Sequence, residues 1–328
     1  MKKQLPNIIR WGIIGLGHIA HKFSKDLAAT KGATLYAVAS RSEEKAKNFA
    51  KKFNVEYVYS SYELLVKNPF VDVVYIATPH SFHKEHSILC LQHKKAVLCE
   101  KPFAMNSDQV IEMIAQAKHN NTLLMEAMWT SFLPQYQYVI ELIHRKSLGK
   151  LLKIEADFGF QPTYDSTHRL FSKNVGGGSL LDIGIYPIFV AVSVLGIPNK
   201  INAKARFFES GVDSECNMIF DYDDNVKVYL KSTFLEETLT EAIFTCEKGI
   251  IKINSRFHQP STVSIQQNNN EKILDFRIEE LGYNFEIEHF NQLFRDRKKE
   301  SNIMSFSFSK KLIQTLDRVR KIINLNYE

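Results

Sequence analysis

The chain has 328 residues, 45% hydrophobic and 24% charged, with a formal charge of 42 − 36 = +6. That length exceeds one comfortable core and predicts two domains, and the composition excludes a disordered chain. The modest positive charge favours an anionic small ligand. Dispersed lysines and the lack of a nucleic-acid-binding signature argue against nucleic acid as a partner.

Lys2 and Lys3 precede an apolar patch interrupted by Pro6 and Gly12. With no small-residue cleavage site after it, no targeting segment is expected. Ile8 to Ile14 reads as a buried strand that breaks into Gly15-Leu16-Gly17-His18-Ile19-Ala20, followed by a helix from about Ile19 to Thr30. GxGxxA between a strand and a helix is a dinucleotide fingerprint. Gly15 makes the tight turn, Gly17 admits a pyrophosphate, Ala20 keeps the helix near the sheet, and the helix N-terminus faces the phosphates. The alternative is an ordinary glycine turn.

A second strand, Thr34 to Ala39, ends in Ser40-Arg41, where an acidic residue would accept the ribose 2′-hydroxyl of NAD. A hydroxyl and a guanidinium suit a 2′-phosphate instead, so the sequence leans to NADP with NAD still open. Arg41 is otherwise a solvated start to the helix Ser42–Phe53. A short strand, Tyr57–Tyr59, and a helix from Ser61 lead to the apolar strand Val71–Ala77, which stops at Thr78-Pro79. His80, His83 and His86 follow without a cysteine or carboxylate to complete a zinc pattern, so no metal is expected.

Ala96 to Cys99 is the next buried strand, and Glu100-Lys101-Pro102-Phe103 ends it. Proline stops a central strand, and an X-Pro bond at such an end is a place for a cis peptide. Ligands of open parallel sheets sit beyond the carboxyl ends of strands, so Lys101 points toward a cleft. A helix, Ser107 to Asn120, and a strand, Thr122–Ala127, complete six strands alternating with helices. The predicted fold is α/β: a doubly wound Rossmann domain over 1–128, then an α+β domain over 129–328 with a large, mostly antiparallel open sheet.

In the second half, Pro134–Ser147 reads as a helix, Leu151–Phe160 as an alternating strand, and Gln161–Val175 as a polar loop. Gly176-Gly177-Gly178-Ser179 opens an apolar helix, Leu180–Leu195. The longest apolar stretch, Ile183–Ile197, contains Pro187 and falls short of a bilayer span. Strands fill Lys200 to Phe276, and amphipathic helices near Asn284–Lys298 and Ser307–Asn324 close the chain. Helices on one sheet face leave the other to be covered, which predicts a homodimer or higher homo-oligomer. Cys90, Cys99, Cys216 and Cys246 stand far apart, as buried thiols in a reducing, cytoplasmic compartment do. Asp182 and Tyr186, four apart on the apolar helix, share one face. Gly184 between them is expected to leave room for a ring or sugar. Alternatively, Tyr186 is a packed aromatic and Asp182 a helix cap.

The motifs GLGHIA, TPHSFH, CEKPFAMN and GGGSLLDIGIYP resemble the Gfo/Idh/MocA oxidoreductases over nearly the whole chain. The stretch MEAMWTSFLP and the tyrosine at 186 are similar to the dimeric dihydrodiol dehydrogenases and NADP-dependent xylose dehydrogenases. The resemblance implies that Gly15, Gly17, His18 and Ile19 hold the pyrophosphate, and that Ser40 and Arg41 hold the 2′-phosphate. It also implies that Thr78, Pro79 and His83 line the nicotinamide side beside Glu100 and Lys101. Many members carry a histidine where this chain has Tyr186, which moves the proton donor from imidazole to phenol. Trp129 and Phe160 then form an aromatic wall for the substrate.

The implied activity is hydride transfer between nicotinamide and a secondary alcohol or hemiacetal carbon of a sugar or cyclic diol, or the matching carbonyl. Tyr186 is the expected acid/base. Its ordinary pKa near 10 is too high for easy work at neutral pH, and Lys101 would favour the phenolate. Asp182 orients the substrate or the lysine. The rival readings are a non-catalytic NADP-binding sensor or scaffold and, among enzymes, a dicarbonyl reductase.

Overall fold

In the computed structural model residues 8–327 are described; Lys2, Lys3 and Pro6, read above for a targeting signal, lie outside them. The chain forms two compact units. One runs up to Trp129 and takes in Glu280–Ser309; the other comprises Thr130–Glu279 and the residues from Lys310 on.

The first unit is built on six strands: β1 (Ile9–Ile14), β2 (Ala33–Ala39), β3 (Tyr57–Tyr59), β4 (Val73–Ile76), β5 (Ala96–Glu100) and β6 (Leu124–Ala127). All neighbours are parallel, in the order β3-β2-β1-β4-β5-β6. The strand order reverses between β1 and β4, the switch point where α/β sheets bind ligands. β4, β5 and β6 are buried at every position, as strands covered on both faces must be. Between the strands run α1 (His18–Ala29), α2 (Glu43–Phe53), α3 (Tyr62–Lys67), α4 (His83–Gln92) and α5 (Ser107–His119). Ser42, Ser61 and Asn106 cap α2, α3 and α5 by accepting backbone N–H bonds, so the sequence fixes these starts locally.

The late helix Tyr283–Arg295 also belongs to this unit. Its Asn291 accepts a bond from the Trp11 indole N–H at 3.1 Å, and the Asp26 carboxylate accepts from the Leu281 and Tyr283 amides at 3.1 and 2.7 Å.

The second unit holds α6 (Pro134–His144), β7 (Leu151–Gly159), α7 (Ile185–Leu195) and seven further strands. These are β8 (Lys200–Phe207), β9 (Asp213–Asp221), β10 (Lys227–Thr233), β11 (Ala242–Cys246), β12 (Gly249–Ile253), β13 (Thr262–Gln267) and β14 (Asn270–Asp275). With β7 they form an eight-stranded sheet in the order β14-β13-β12-β11-β7-β10-β9-β8, in which only β7 and β10 run parallel. α6 and α7 pack on one face. Alternation on β9 and β10 buries Met218, Phe220, Val228 and Leu230 there and leaves Ile219 and Tyr229 about two-fifths exposed on the other.

The predicted helix Leu180–Leu195 is not continuous: Leu180–Gly184 is a π turn, and the α-helix begins at Ile185. Among the described residues, the segment Lys173–Leu195 that contains it is the one stretch long and apolar enough to cross a bilayer. It is largely buried within the second unit, where α7 packs on β7 and β10.

Candidate active site

In the first unit the predicted cofactor residues gather at the carboxyl ends of the strands. Gly15 has φ +87°, and a Cβ there would stand 2.7 Å from the Ala77 carbonyl, so only glycine lets β1 turn against the end of β4. A Cβ on Gly17 would meet nothing within 4 Å, which leaves backbone open to a ligand at the start of α1. Leu16, Gly17 and His18 thus form a cradle suited to a pyrophosphate. Ile19 lies in the first turn of α1.

At the end of β2, Ser40 is nearly buried and its Oγ accepts the Ser42 amide at 3.2 Å, while Arg41 is exposed. The Arg41 guanidinium lies 5.8 Å over the Phe82 ring. At the end of β4, the Thr78 hydroxyl is bonded to His86 Nδ1 at 3.0 Å. His83 is fully buried. Its Nδ1 lies 2.8 Å from the Pro102 carbonyl and its Nε2 2.8 Å from that of Thr78. Burial pulls its pKa down to about 4, so the neutral ring donates to one carbonyl according to its tautomer. The imidazole braces the end of β4 to the turn after β5, with Pro79 between Thr78 and the 3-10 turn His80–Phe82.

The Lys101–Pro102 bond is cis. Glu100 now has a structural explanation. The Tyr75 hydroxyl donates to its Oε1, and its Oε2 accepts the Lys101 amide at 3.2 Å. Tyr75 pairs with Leu98 across β4 and β5, and Glu100 is two residues on, so the two side chains share a sheet face. Sequence reasoning missed Tyr75. The available signal was a hydroxyl in an otherwise aliphatic buried strand. Trp129 is 5% exposed and stacks on Tyr283 at 4.3 Å, so one face of its indole is occupied.

In the second unit, Tyr186 stands in the first turn of α7, nearly buried, with its ring 5.6 Å from Phe158 and 5.2 Å from His258. His258 also stacks on Phe158 at 4.3 Å. Nothing in the sequence around His258 marked it. Phe160 packs edge-on against Phe234 at 5.1 Å, within a cluster of Leu170, Phe171, Ile183 and Phe234.

Asp182 does not cap the helix. Its Oδ1 accepts Arg169 Nη1 at 2.9 Å, and the capping acceptor is Asp213, which takes the Ser179 hydroxyl and the Leu180 amide, both at 2.7 Å. Burial raises the Asp213 carboxyl to about 6. The glycine run brings Arg169 into place: a Cβ on Gly177 would lie 2.7 Å from the carbonyls of Arg169 and Leu170. The expected space at Gly184 is absent. A Cβ there would press on Ser232 Oγ of β10 at 2.8 Å, so this glycine seats the π turn on the sheet.

Residues 9–128 match the GFO_IDH_MocA profile, described as an oxidoreductase family with an NAD-binding Rossmann fold, and residues 136–252 match the GFO/IDH/MocA C-terminal domain. The chain belongs to the Gfo/Idh/MocA oxidoreductase family. It is 36% identical to the trans-1,2-dihydrobenzene-1,2-diol dehydrogenase of Xenopus laevis, over 97% of this chain and 99% of that one. It is 33% identical to the scyllo-inositol 2-dehydrogenase (NADP(+)) of Bacillus subtilis, over 98% of each. A 3-ketoreductase from Actinomadura kijaniata, solved with NADP and TDP-benzene, superposes with a TM-score of 0.88 at 26% identity over 97% of this chain and 98% of that chain. The Gfo/Idh/MocA resemblance and the two-part α/β fold expected from the sequence are thereby borne out.

Proposed function

We propose that this Gfo/Idh/MocA protein is an NADP-preferring dehydrogenase acting on a secondary alcohol or hemiacetal carbon of a sugar or cyclic diol, or on the matching carbonyl in reverse. The observation that carries the reading is the pair of phosphate-suited features in the first unit. These are the open Gly15–Gly17 turn at α1 and an exposed Arg41, with no acid, at the end of β2. Near-full-length identity to NADP- and diol-linked relatives supports it.

The cofactor, when bound, accepts or supplies the hydride at nicotinamide C4. The chain must orient the carbon and move one proton. In our reading Tyr186 takes the hydroxyl proton as the alcohol is oxidised and returns it in reduction. Lys101 is assigned to the same step, as the cation that would favour the phenolate form. Glu100 and Tyr75 fix the backbone that carries Lys101. The Arg169–Asp182 pair orients substrate hydroxyls, and Trp129 and Phe160 supply aromatic surface to a ring. Thr78, Pro79 and His83 shape the cofactor side.

The exposed face of the eight-stranded sheet, with Ile219, Tyr229 and Ile243 beside Lys204 and Lys231, is assigned to pairing with a second copy. The assembly assigned is a homodimer, and light scattering that finds only monomer at micromolar concentration rejects it.

The test is a panel of pentoses, hexoses, inositols, trans-dihydrodiols and dicarbonyls with NADP and with NAD. Turnover of a sugar, inositol or diol, faster with NADP, is expected. Cofactor binding with no turnover across the panel overturns the enzyme reading, and dicarbonyl reduction alone overturns the substrate class.

A further inference from the structure

The π turn Leu180–Gly184 carries Asp182, and Tyr186 stands two residues past its end. A π turn holds one residue more than α-helical winding. Its collapse to α would carry whatever follows around the helix axis by about 100°. Whatever holds the turn therefore decides where the Tyr186 phenol points.

Three fully buried polar side chains hold it from the sheet. At its start, Asp213 Oδ2 accepts the Ser179 hydroxyl and the Leu180 amide, both at 2.7 Å. With the Ser179 proton turned to Asp213, Ser179 Oγ accepts from Ser232 Oγ at 3.0 Å. At its end, Gly184 rests on the same Ser232, whose Oγ an added Cβ would meet at 2.8 Å.

Asp213 reaches the turn because β9 is bulged. Cys216, Met218 and Phe220 are buried, while Asn217 and Ile219 point to the exposed face. Strict alternation would send Asp213 to that exposed face too. Instead β8 pairs Arg206 with Glu215 and Phe207 with Asp213, skipping Ser214. A bulge of this kind re-aims a side chain.

Stability alone does not explain a carboxylate here. Among the described residues its Oδ1 has no hydrogen-bond partner, and it lies against Gly178, where φ is +107° and a Cβ would collide with it. Burial raises the carboxyl from 3.8 to about 6. Folding thus favours the neutral form, and that contribution, full below 3.8, is lost as pH rises through 6. Its charge acts on the buried Cys216 thiol and on the Tyr327 phenol, which donates to the Gly177 carbonyl at 2.6 Å. Burial first, and then Asp213, push both up, so neither ionises near neutral pH.

We propose that Asp213 is a positioning residue for the reaction: with Ser179 it holds the π turn and so fixes the directions of Asp182 and Tyr186. The inference rests on the reading of Tyr186 as proton carrier given above. An ionised carboxylate accepts from a hydroxyl and an amide more strongly than a neutral group does.

The test compares wild type, Asp213→Asn, Ser179→Ala and Tyr186→Phe, and each of the first two variants combined with Tyr186→Phe. Steady-state kinetics use NADP with scyllo-inositol, or the member of the panel above that turns over fastest. NADPH binding and thermal melts at pH 8 accompany them. Asp213→Asn is expected to lower kcat about tenfold or more, since a misplacement of about 1 Å can cost a hundredfold. NADPH affinity should change less than about twofold. The melting temperature at pH 8 should not fall, because the variant removes a buried charge. In the Tyr186→Phe background the same change should lower the residual kcat less than about twofold. Ser179→Ala leaves the Leu180 amide on Asp213 and should lower kcat about three- to tenfold. It carries the test if Asp213→Asn does not fold.

An equal fall in kcat with and without the Tyr186 hydroxyl, or normal kcat in both variants, overturns the proposal and makes the network structural, while Tyr186 keeps its role. If Tyr186→Phe turns over normally, or no panel member turns over, the reading of Tyr186 fails and takes the Asp213 role with it.

Discussion

The Arg169 guanidinium donates to the Asp182 carboxylate at 2.9 Å, from a side chain 47% exposed to one 8% exposed. A pair with one partner in solvent contributes little to stability. Asp182→Asn is expected to shift the unfolding free energy by less than about 1 kcal/mol. If the pair orients substrate, the same change should lower kcat/KM by about tenfold or more. Thermal melts beside steady-state kinetics separate the two, and a large loss of stability with normal kinetics would make the pair structural.

Tyr186→Phe removes the proposed proton carrier and keeps the ring that meets Phe158 and His258. Turnover should fall about a hundredfold or more while NADPH still binds. Near-normal turnover removes Tyr186 from the chemistry. Lys101→Ala should likewise depress turnover and shift the pH–rate profile toward higher pH if Lys101 is the cation that favours the phenolate.

Gly184 has ordinary helical angles, φ −64° and ψ −22°, so alanine there meets no backbone strain. The obstacle is Ser232, and overpacking should cost about 1–3 kcal/mol on urea denaturation. Adding Ser232→Ala should restore only part, since the Ser232 Cβ itself lies 3.1 Å from the added methyl. A neutral or stabilising Gly184→Ala would contradict this packing.

Glu126 on β6 is 2% exposed, and burial raises its pKa from 4.5 to about 7, although its Oε1 accepts the Phe103 amide at 3.0 Å. A carboxyl raised on folding favours the fold fully below its unfolded pKa, and that contribution is lost as pH climbs through 7. From 4.5 to about 7, at about 1.4 kcal/mol per pH unit, the loss is on the order of 3 kcal/mol. Glu286, fully buried with both carboxylate oxygens unpartnered, shifts in the same direction by burial and by the charges of Glu100 and Asp26. Glu126→Gln should therefore flatten the decline in stability between pH 5 and 8. Urea melts across that range check it, and a decline as steep as that of wild type refutes it.

Six strands of the first unit were legible in order because five are short apolar runs ended by glycine, proline or a polar pair, β6 alone running on into Met128-Trp129, and three helices carry Ser or Asn caps that act locally. The nucleotide turn was legible for the same reason: Gly15 and Gly17 act through their own backbone. What the sequence could not reveal are contacts between segments distant along the chain. Asp182 reads as a cap or a substrate ligand until the glycine run places Arg169 beside it and Asp213 of β9 takes the capping bonds. Gly184 reads as open space until β10 puts Ser232 against it. Glu100 stays unexplained until the parallel register of β4 and β5 brings Tyr75 to its face. Local chemistry writes turns, caps and strand ends into sequence. Partner choice for a buried polar group is decided by tertiary packing, because any of several distant donors or acceptors could satisfy it.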